Sequence, residues 1–338
     1  MKRTTRTVTY LCLTLMGGAT LLAQEKTRKA LPAEEGGPPD AAGELNSDPT
    51  KLATFYYCAS VCNNSTMIIG CDNREQGPTS NTAGIPPWQL VGRLSGGGSG
   101  ECTGTLIGPK HVLTAAHCVL DNSNQFRNGA IEFRLGQFST GPRGRPYGTH
   151  HAVRVFVRNA YDNTSGSQQN KAHDWAVIEL ANPVAGATAM SFSYLSWAAI
   201  NAKTPYSVGY PGDKSIGSIW QTGTTNSFVD NDNKWLNEGD SGLLWVTNDG
   251  VGGQSGSPIY IMDNGIRKLV GVFLGSPIAD CQQGRTWAAR LTSGAVQRIQ
   301  NAMNYPPNGI VLDFSLRRRD IPAGEIPADV PPSGGCGF

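Results

Sequence analysis

The chain has 338 residues, enough for one large core or two small ones. Charged residues make up only 16% of it, against 42 glycines and 21 prolines, a balance that favours a turn-rich β protein over a helical one. Its formal net charge is +2 and no Lys/Arg block stands in its middle, which argues against nucleic acid as the natural partner.

Lys2, Arg3 and Arg6 precede a mostly apolar stretch, Val8 to Ala23, that ends in small residues. This is the layout of a signal peptide over 1–23, with cleavage expected after Ala23 or Ala19 and export to follow. The apolar run is shorter than the ~20 residues a spanning helix needs, so no stable membrane association is expected. Residues 24–66 are polar and mixed, with Glu34-Glu35-Gly36-Gly37-Pro38-Pro39-Asp40 unable to build a core, and read as a propeptide; a flexible linker is the plainer alternative.

From Met67 the texture changes. Short apolar or alternating runs separated by Gly, Pro, Asn and Ser follow one another: Trp88–Leu94, Thr103–Ile107, Ile131–Leu135, Ala152–Val157, Trp175–Leu180, Tyr206–Tyr210, Leu243–Val246, Pro258–Ile261 and Lys268–Leu274. Many short strands at near-regular intervals predict an all-β sandwich or barrel. One helix is expected, capped by Thr292, with Val296, Ile299 and Met303 spaced for one face. A domain over 67–303 results, followed by a Pro-rich tail, 304–338, expected to lie on the surface with Arg317-Arg318-Arg319 as a solvated patch. Asp230-Asn231-Asp232-Asn233 lacks the full ligand spacing of a calcium loop and is expected to be a solvated turn; no metal and no cofactor are implied.

Eight cysteines are present, and Cys12 lies in the leader. In an exported chain the rest are expected to form bridges, and seven leaves one over. Cys58 and Cys62 are close enough to pair locally. Cys102 is the natural partner of Cys118, and closing that loop would contribute about 3 kcal/mol.

Chemistry concentrates in Gly252-Gly253-Gln254-Ser255-Gly256-Ser257-Pro258. Glycines leave backbone N–H groups bare and allow turns that expose a hydroxyl. A reactive serine there needs a base and an acid. Of the five histidines, His117 has the informative setting: Thr114-Ala115-Ala116-His117-Cys118, at a strand end and tethered by its neighbouring cysteine. Asp174, at the front of the apolar run Trp175–Leu180, is the candidate for the orienting carboxylate, with Asp162 in a polar loop as runner-up. A rival serine, Ser241, sits in Glu238-Gly239-Asp240-Ser241-Gly242 but is followed by Leu243-Leu244 rather than Gly-Pro.

The order His117, Asp174, Ser255, in the contexts TAAHC, HDWAVIEL and GGQSGSP, resembles the chymotrypsin-like serine peptidases, and most the bacterial glutamyl endopeptidase (V8-like) branch. Met67–Arg74 is similar to the start of mature enzymes of that branch, and Glu101–Lys110 to the run leading to their catalytic histidine. The resemblance implies two six-stranded antiparallel barrels, a monomer, and endopeptidase action on protein or peptide substrates. It implies Ser255 as nucleophile, His117 as general base and Asp174 as its orienter, with the N–H groups of Gly253 and Ser255 as oxyanion hole. A catalytically silent binding or adhesion protein on the same fold is the alternative. Departures also follow. Gln254 stands where animal-type enzymes carry the Asp that pairs with a freed N-terminus. Phe273 stands where glutamyl endopeptidases carry a substrate-binding histidine. Asp249, six positions before Ser255, stands where trypsin-like enzymes carry the acid that binds Arg or Lys, or else is a turn residue. Cys281 lacks its usual partner, which leaves Cys71 and Cys336 open.

Overall fold

The computed structural model describes residues 59–96, 99–222, 225–229, 239–306 and 313–332, with two short strands nearer the N-terminus. The chain divides into two compact units, Met1–Ala59 and Ser60–Phe338. In the first, Val8–Tyr10 pairs antiparallel with Lys26–Arg28. The leader and propeptide expectations otherwise lie outside the described residues, as does the cluster Asp230–Asn233. The second unit contains the whole of the stretch 67–303.

Six antiparallel strands close a barrel: Val91–Gly96, Ser99–Gly108, His111–Thr114, Ile131–Leu135, His150–Arg158 and Ala176–Leu180, the last pairing back onto His150–Arg158. Ile131–Leu135 alternates buried and half-buried positions, the two-residue period of a strand with one face in the core. All five residues of Ala176–Leu180 are buried, because the helix Ser293–Met303 packs across this strand. Thr292 caps that helix by accepting the Ala295 N–H at 3.2 Å. The helix buries Ala295, Ile299 and Ala302, with Val296 and Met303 at the margin of the same core. The second sheet runs Phe228–Val229, Leu243–Val246, Thr286–Arg290, Ile266–Gly275, Pro258–Asp263, Tyr206–Gly209, Trp220–Thr222 and Arg74–Gln76. It encloses a core of Leu244, Val246, Ile259, Ile261, Val270 and Phe273. Among the described residues it stays open, a half-barrel facing the closed one.

Two segments behave differently from the sequence expectation. The tail is part of the fold: Leu316–Asp320 pairs antiparallel with His150–Arg158, and Val330 bridges to Thr149. Arg317 donates to the carbonyl of Asn124 at 2.8 Å and to its side chain at 2.6 Å, while Arg318 lies over the Tyr305 ring and Arg319 pairs with Glu325. The expected solvated patch is therefore an edge strand whose charges are met one by one. The second difference is a small sheet in which Val61–Cys62 pairs with Thr66–Ile68, and Thr66–Ile68 with Gly250–Val251. Cys62 is bonded to Cys281, so neither local pairing with Cys58 nor pairing of Cys281 with Cys71 or Cys336 occurs.

Leu316 and Ile321 are both buried by the returning tail. Removing residues 313–338 should cost about 4 kcal/mol for these two side chains and lower the thermal midpoint by roughly 10 °C. Calorimetry showing an unchanged midpoint would mean the strand adds nothing.

Candidate active site

The serine turn joins Gly250–Val251 to Pro258–Asp263. Two of its glycines have left-handed backbones, φ +99° at Gly253 and +85° at Gly256. A side chain at Gly253 would stand 2.4 Å from the Tyr210 carbonyl oxygen, and one at Gly256 2.2 Å from that of Thr103. Neither position admits another residue. The N–H groups of the turn are used selectively. Those of Gly252, Gln254, Gly256 and Ser257 donate to Ser65, Val251, Phe273 and Gln254 carbonyls, at 2.7, 3.0, 2.9 and 2.9 Å. Those of Gly253 and Ser255 have no acceptor among the described residues. Two unspent donors, one on either side of Gln254, thus belong to the turn that carries the half-buried Ser255.

The first barrel holds this turn in place through Thr103, which is wholly buried. Its N–H donates to the Ser255 carbonyl at 2.8 Å, and its hydroxyl donates to the Gly253 carbonyl at 2.9 Å. Cys118 Sγ lies 3.7 Å from the Ser255 carbonyl oxygen. Cys118 is bonded to Cys102, at an S–S distance of 2.07 Å, and directly follows His117 in the 3-10 turn Ala116–Cys118. The turns bearing Ser255 and His117 therefore meet across the boundary between the sheets.

His117 Nδ1 lies 2.9 Å from Asp174 Oδ2, and its backbone N–H donates to Asp174 Oδ1 at 3.0 Å. Asp174 is fully buried and ends a short turn that starts at Gln168–Lys171, capped by the Ser167 hydroxyl. Burial alone would raise the Asp174 pKa. The His117 ring and N–H, together with Lys171, outweigh it and hold the carboxyl well below the usual carboxylate range. Lys171 Nζ donates to Asp174 Oδ2 at 3.2 Å and lies over the Tyr161 ring. Burial pushes the Tyr161 hydroxyl up, and the nearby Asp174 charge adds to it.

Asp162 is spent locally, accepting from the N–H and hydroxyl of Thr164 at 2.9 and 2.8 Å. Ser241 lies in a structural corner. Its neighbour Asp240 pairs with Arg158 and Arg298, and the Gly239 carbonyl accepts the Gly294 N–H at the start of the last helix. The other histidines also have structural places. Burial pushes His111 down; burial and the Arg158 charge push His173 down to about 4. His150 and His151 sit against Tyr147 and Asp329.

Both specificity candidates are engaged. Asp249 is buried, and its two oxygens accept the N–H groups of Ile69 and Asn73 at 2.7 and 3.1 Å. It works as an anchor for the N-terminal segment rather than as an open acid. Phe273 is buried in the second core, and its ring occupies the space a side chain on Gly250 would need, 2.2 Å from that missing Cβ.

Sequence reasoning missed Arg74. Its guanidinium is fully buried and reaches Asp72 at 2.8 Å, Asp213 at 2.6 Å and Gln254 Oε1 at 3.2 Å. Gln254 Oε1 also accepts the Val251 N–H at 2.9 Å, so Arg74 braces the residue before Ser255. Lys171 and Thr103 were missed as well. Lys171 alone carried a local signal, three positions before Asp174 in a helical turn.

Asp249 offers a pH test. Burial raises its pKa to about 6, the two N–H bonds notwithstanding, whereas an unfolded Asp titrates near about 3.9. The folded carboxyl keeps its proton where the unfolded one has lost it, so stability falls as pH rises from about 4 to about 6, by roughly 3 kcal/mol at most. Asp249→Asn removes the titration. The wild-type melting midpoint minus that of the variant should therefore decrease across this window; a constant difference would contradict the assignment.

A profile of the trypsin family matches residues 75–299. The glutamyl endopeptidase of Bacillus licheniformis is 32% identical over 194 residues, covering 57% of this chain and 54% of that protein. The extracellular metalloprotease of Bacillus subtilis is 25% identical over 205 residues, 58% of each. The chain thus spans little more than half the length of these curated relatives. A solved Glu endopeptidase in complex with MPD superposes with a TM-score of 0.55 at 26% identity, covering 70% of this chain and 98% of that one. With a closed β-barrel, a facing half-barrel and a profile match over two thirds of its length, the chain belongs to the trypsin family.

Proposed function

We propose that the chain is an exported serine endopeptidase that hydrolyses peptide bonds in protein or peptide substrates through Ser255, His117 and Asp174. The observation that carries this reading is the pair of unspent N–H donors at Gly253 and Ser255, on a turn pinned next to the His117–Asp174 pair. A glycine-rich turn with a purely structural role would spend those donors as it spends the four around them.

The chemistry follows from the wiring. Asp174 takes the Nδ1 side of the His117 ring, which leaves Nε2 to serve as the proton acceptor. Ser255 Oγ bonds to the scissile carbonyl carbon while its proton passes to Nε2. The oxygen that becomes negative is met by the Gly253 and Ser255 N–H groups, each worth roughly 3 kcal/mol in the transition state. The C–N bond breaks as Nε2 returns the proton to the leaving amine, and water then releases the acyl group by the same steps in reverse. Asp174, held charged by its surroundings, stabilises the imidazolium formed on the way. Lys171 shares Oδ2 with His117 and tempers that carboxylate.

Among the described residues no group of three or more His, Cys, Asp and Glu is gathered to hold a metal ion. The bonds Cys62–Cys281 and Cys102–Cys118 suit an oxidising compartment, in keeping with the leader-like N-terminus. No helix among the described residues is long and apolar enough to cross a membrane.

Ser255→Ala or His117→Ala should each lower kcat on casein by about a million-fold, and Asp174→Asn by about ten thousand-fold. Ser241→Ala should leave kcat unchanged. An organophosphonate should label Ser255 in the wild type. Near-normal hydrolysis by Ser255→Ala would sink the reading, and an inert wild type that takes no label would favour the silent binding protein.

A further inference from the structure

Three groups that the triad does not use converge beside it. The hairpin Val61–Ile68 lies against the strand that leads into the serine turn. Its Met67 is in register with Gly250, and its Ser65 carbonyl accepts the Gly252 N–H at 2.7 Å. On the other side, the Met67 thioether stands 3.0 Å from where a side chain on Gly275 would begin. Phe273, two residues earlier, exchanges main-chain bonds with the serine turn: Gly256 N–H donates to its carbonyl at 2.9 Å and its own N–H donates to the Ser257 carbonyl at 2.8 Å. The hairpin therefore spans from Gly250 to Gly275, the two segments that flank Ser255. The bond between Cys62 and Cys281 fixes it covalently to the helix Ile278–Gln282, just past the second segment.

An acyl-side residue of a substrate has its Cα one bond from the carbonyl that Ser255 would attack. Its side chain would then lie beside these two segments, which bond to the serine turn on either side. The side chains packed against these segments are apolar: the Phe273 ring against Gly250 and the Met67 thioether against Gly275. Asp249, next to Gly250, has both oxygens taken by the Ile69 and Asn73 N–H groups, and Asp280 on the linked helix pairs with Arg285.

We infer that the hairpin Val61–Ile68 is a retained wall of the specificity pocket, and that with Phe273 it makes this peptidase selective for substrates with an uncharged, apolar acyl-side residue. The inference rests on the serine peptidase reading above. A charged side chain there would be buried without a partner, which costs far more than a missing methylene. Residues 60–66 therefore stay with the active enzyme, whatever is removed before them.

The full chain is expressed, and the active form is purified, titrated with an organophosphonate and profiled on a peptide library. The wild type should cleave after apolar residues about a hundred-fold faster, in kcat/KM per titrated site, than after Glu, Arg or Lys. Met67→Ala enlarges the pocket and should shift preference toward larger apolar residues by about ten-fold, again per titrated site, so that a poorly folded fraction does not count. A non-reducing peptide map of the active form should recover the Cys62 peptide linked to that of Cys281. Preference for Glu, Arg or Lys, an unchanged profile in Met67→Ala, or full activity in enzyme lacking residues 60–68 would each overturn the inference while leaving the peptidase reading intact. Absence of any labelling or hydrolysis would overturn that reading, and this inference with it.

Discussion

The hydrogen bonds of Thr103 are the constraint on which the site depends. One residue on a strand of the closed barrel fixes two carbonyls of the serine turn, at Ser255 and Gly253, and accepts the Tyr210 N–H at 3.1 Å from the facing sheet. Its own carbonyl accepts the Thr114 hydroxyl at 2.7 Å, at the end of the strand that runs on to His117. Each bond is worth only about 1 kcal/mol net. Their effect is geometric: one buried residue ties three chain segments to a common point. With both carbonyls held on the Thr103 side, the turn keeps a fixed shape in which the N–H groups of Gly253 and Ser255 find no acceptor among the described residues.

A second constraint acts from the N-terminal side. A buried guanidinium needs its charge met, and Arg74 meets two carboxylates, Asp72 and Asp213. The Arg74 bond holds Asp72 well below the usual carboxylate range, helped by Lys214 against the cost of burial. With its charge balanced, Arg74 can spare a donor for the neutral Gln254. Asp249 takes the next two N–H groups of the same segment, at Ile69 and Asn73. The stretch from Ser60 to Arg74 is thus bound to the serine turn at Gly250, Gly252 and Gln254, with Asp249 beneath.

What was legible in the sequence was local. Ser255 stood out because its glycines serve a turn, His117 because a cysteine adjoins it, and Asp174 because an apolar strand follows it. The β-rich class and the last helix were legible from periodicity, since Thr292 and Ile299 do what their spacing announces. What was not legible was made of contacts between distant positions. Thr103 is one threonine among many until the fold brings Ser255 to it. Cys62 read as a partner of Cys58 because sequence separation hides a hairpin. The strand Leu316–Asp320 read as a basic patch because only one of its residues is apolar; its support comes from Asn124, Tyr305 and Glu325, which no periodicity reveals.

Gln254 shows how a departure from family pattern can carry mechanism. An Asp at this place needs a cation, and in animal-type enzymes the freed chain end supplies it. A neutral Gln needs none, but it needs a donor held still. Arg74 supplies that donor from within the folded segment, with its own charge already balanced by Asp72 and Asp213. The arrangement therefore asks for no new chain end to shape the serine turn. The same folded segment is bonded at Cys62 to Cys281 and accepts the Gly252 N–H at Ser65, so the support of the serine turn is built from residues within the chain.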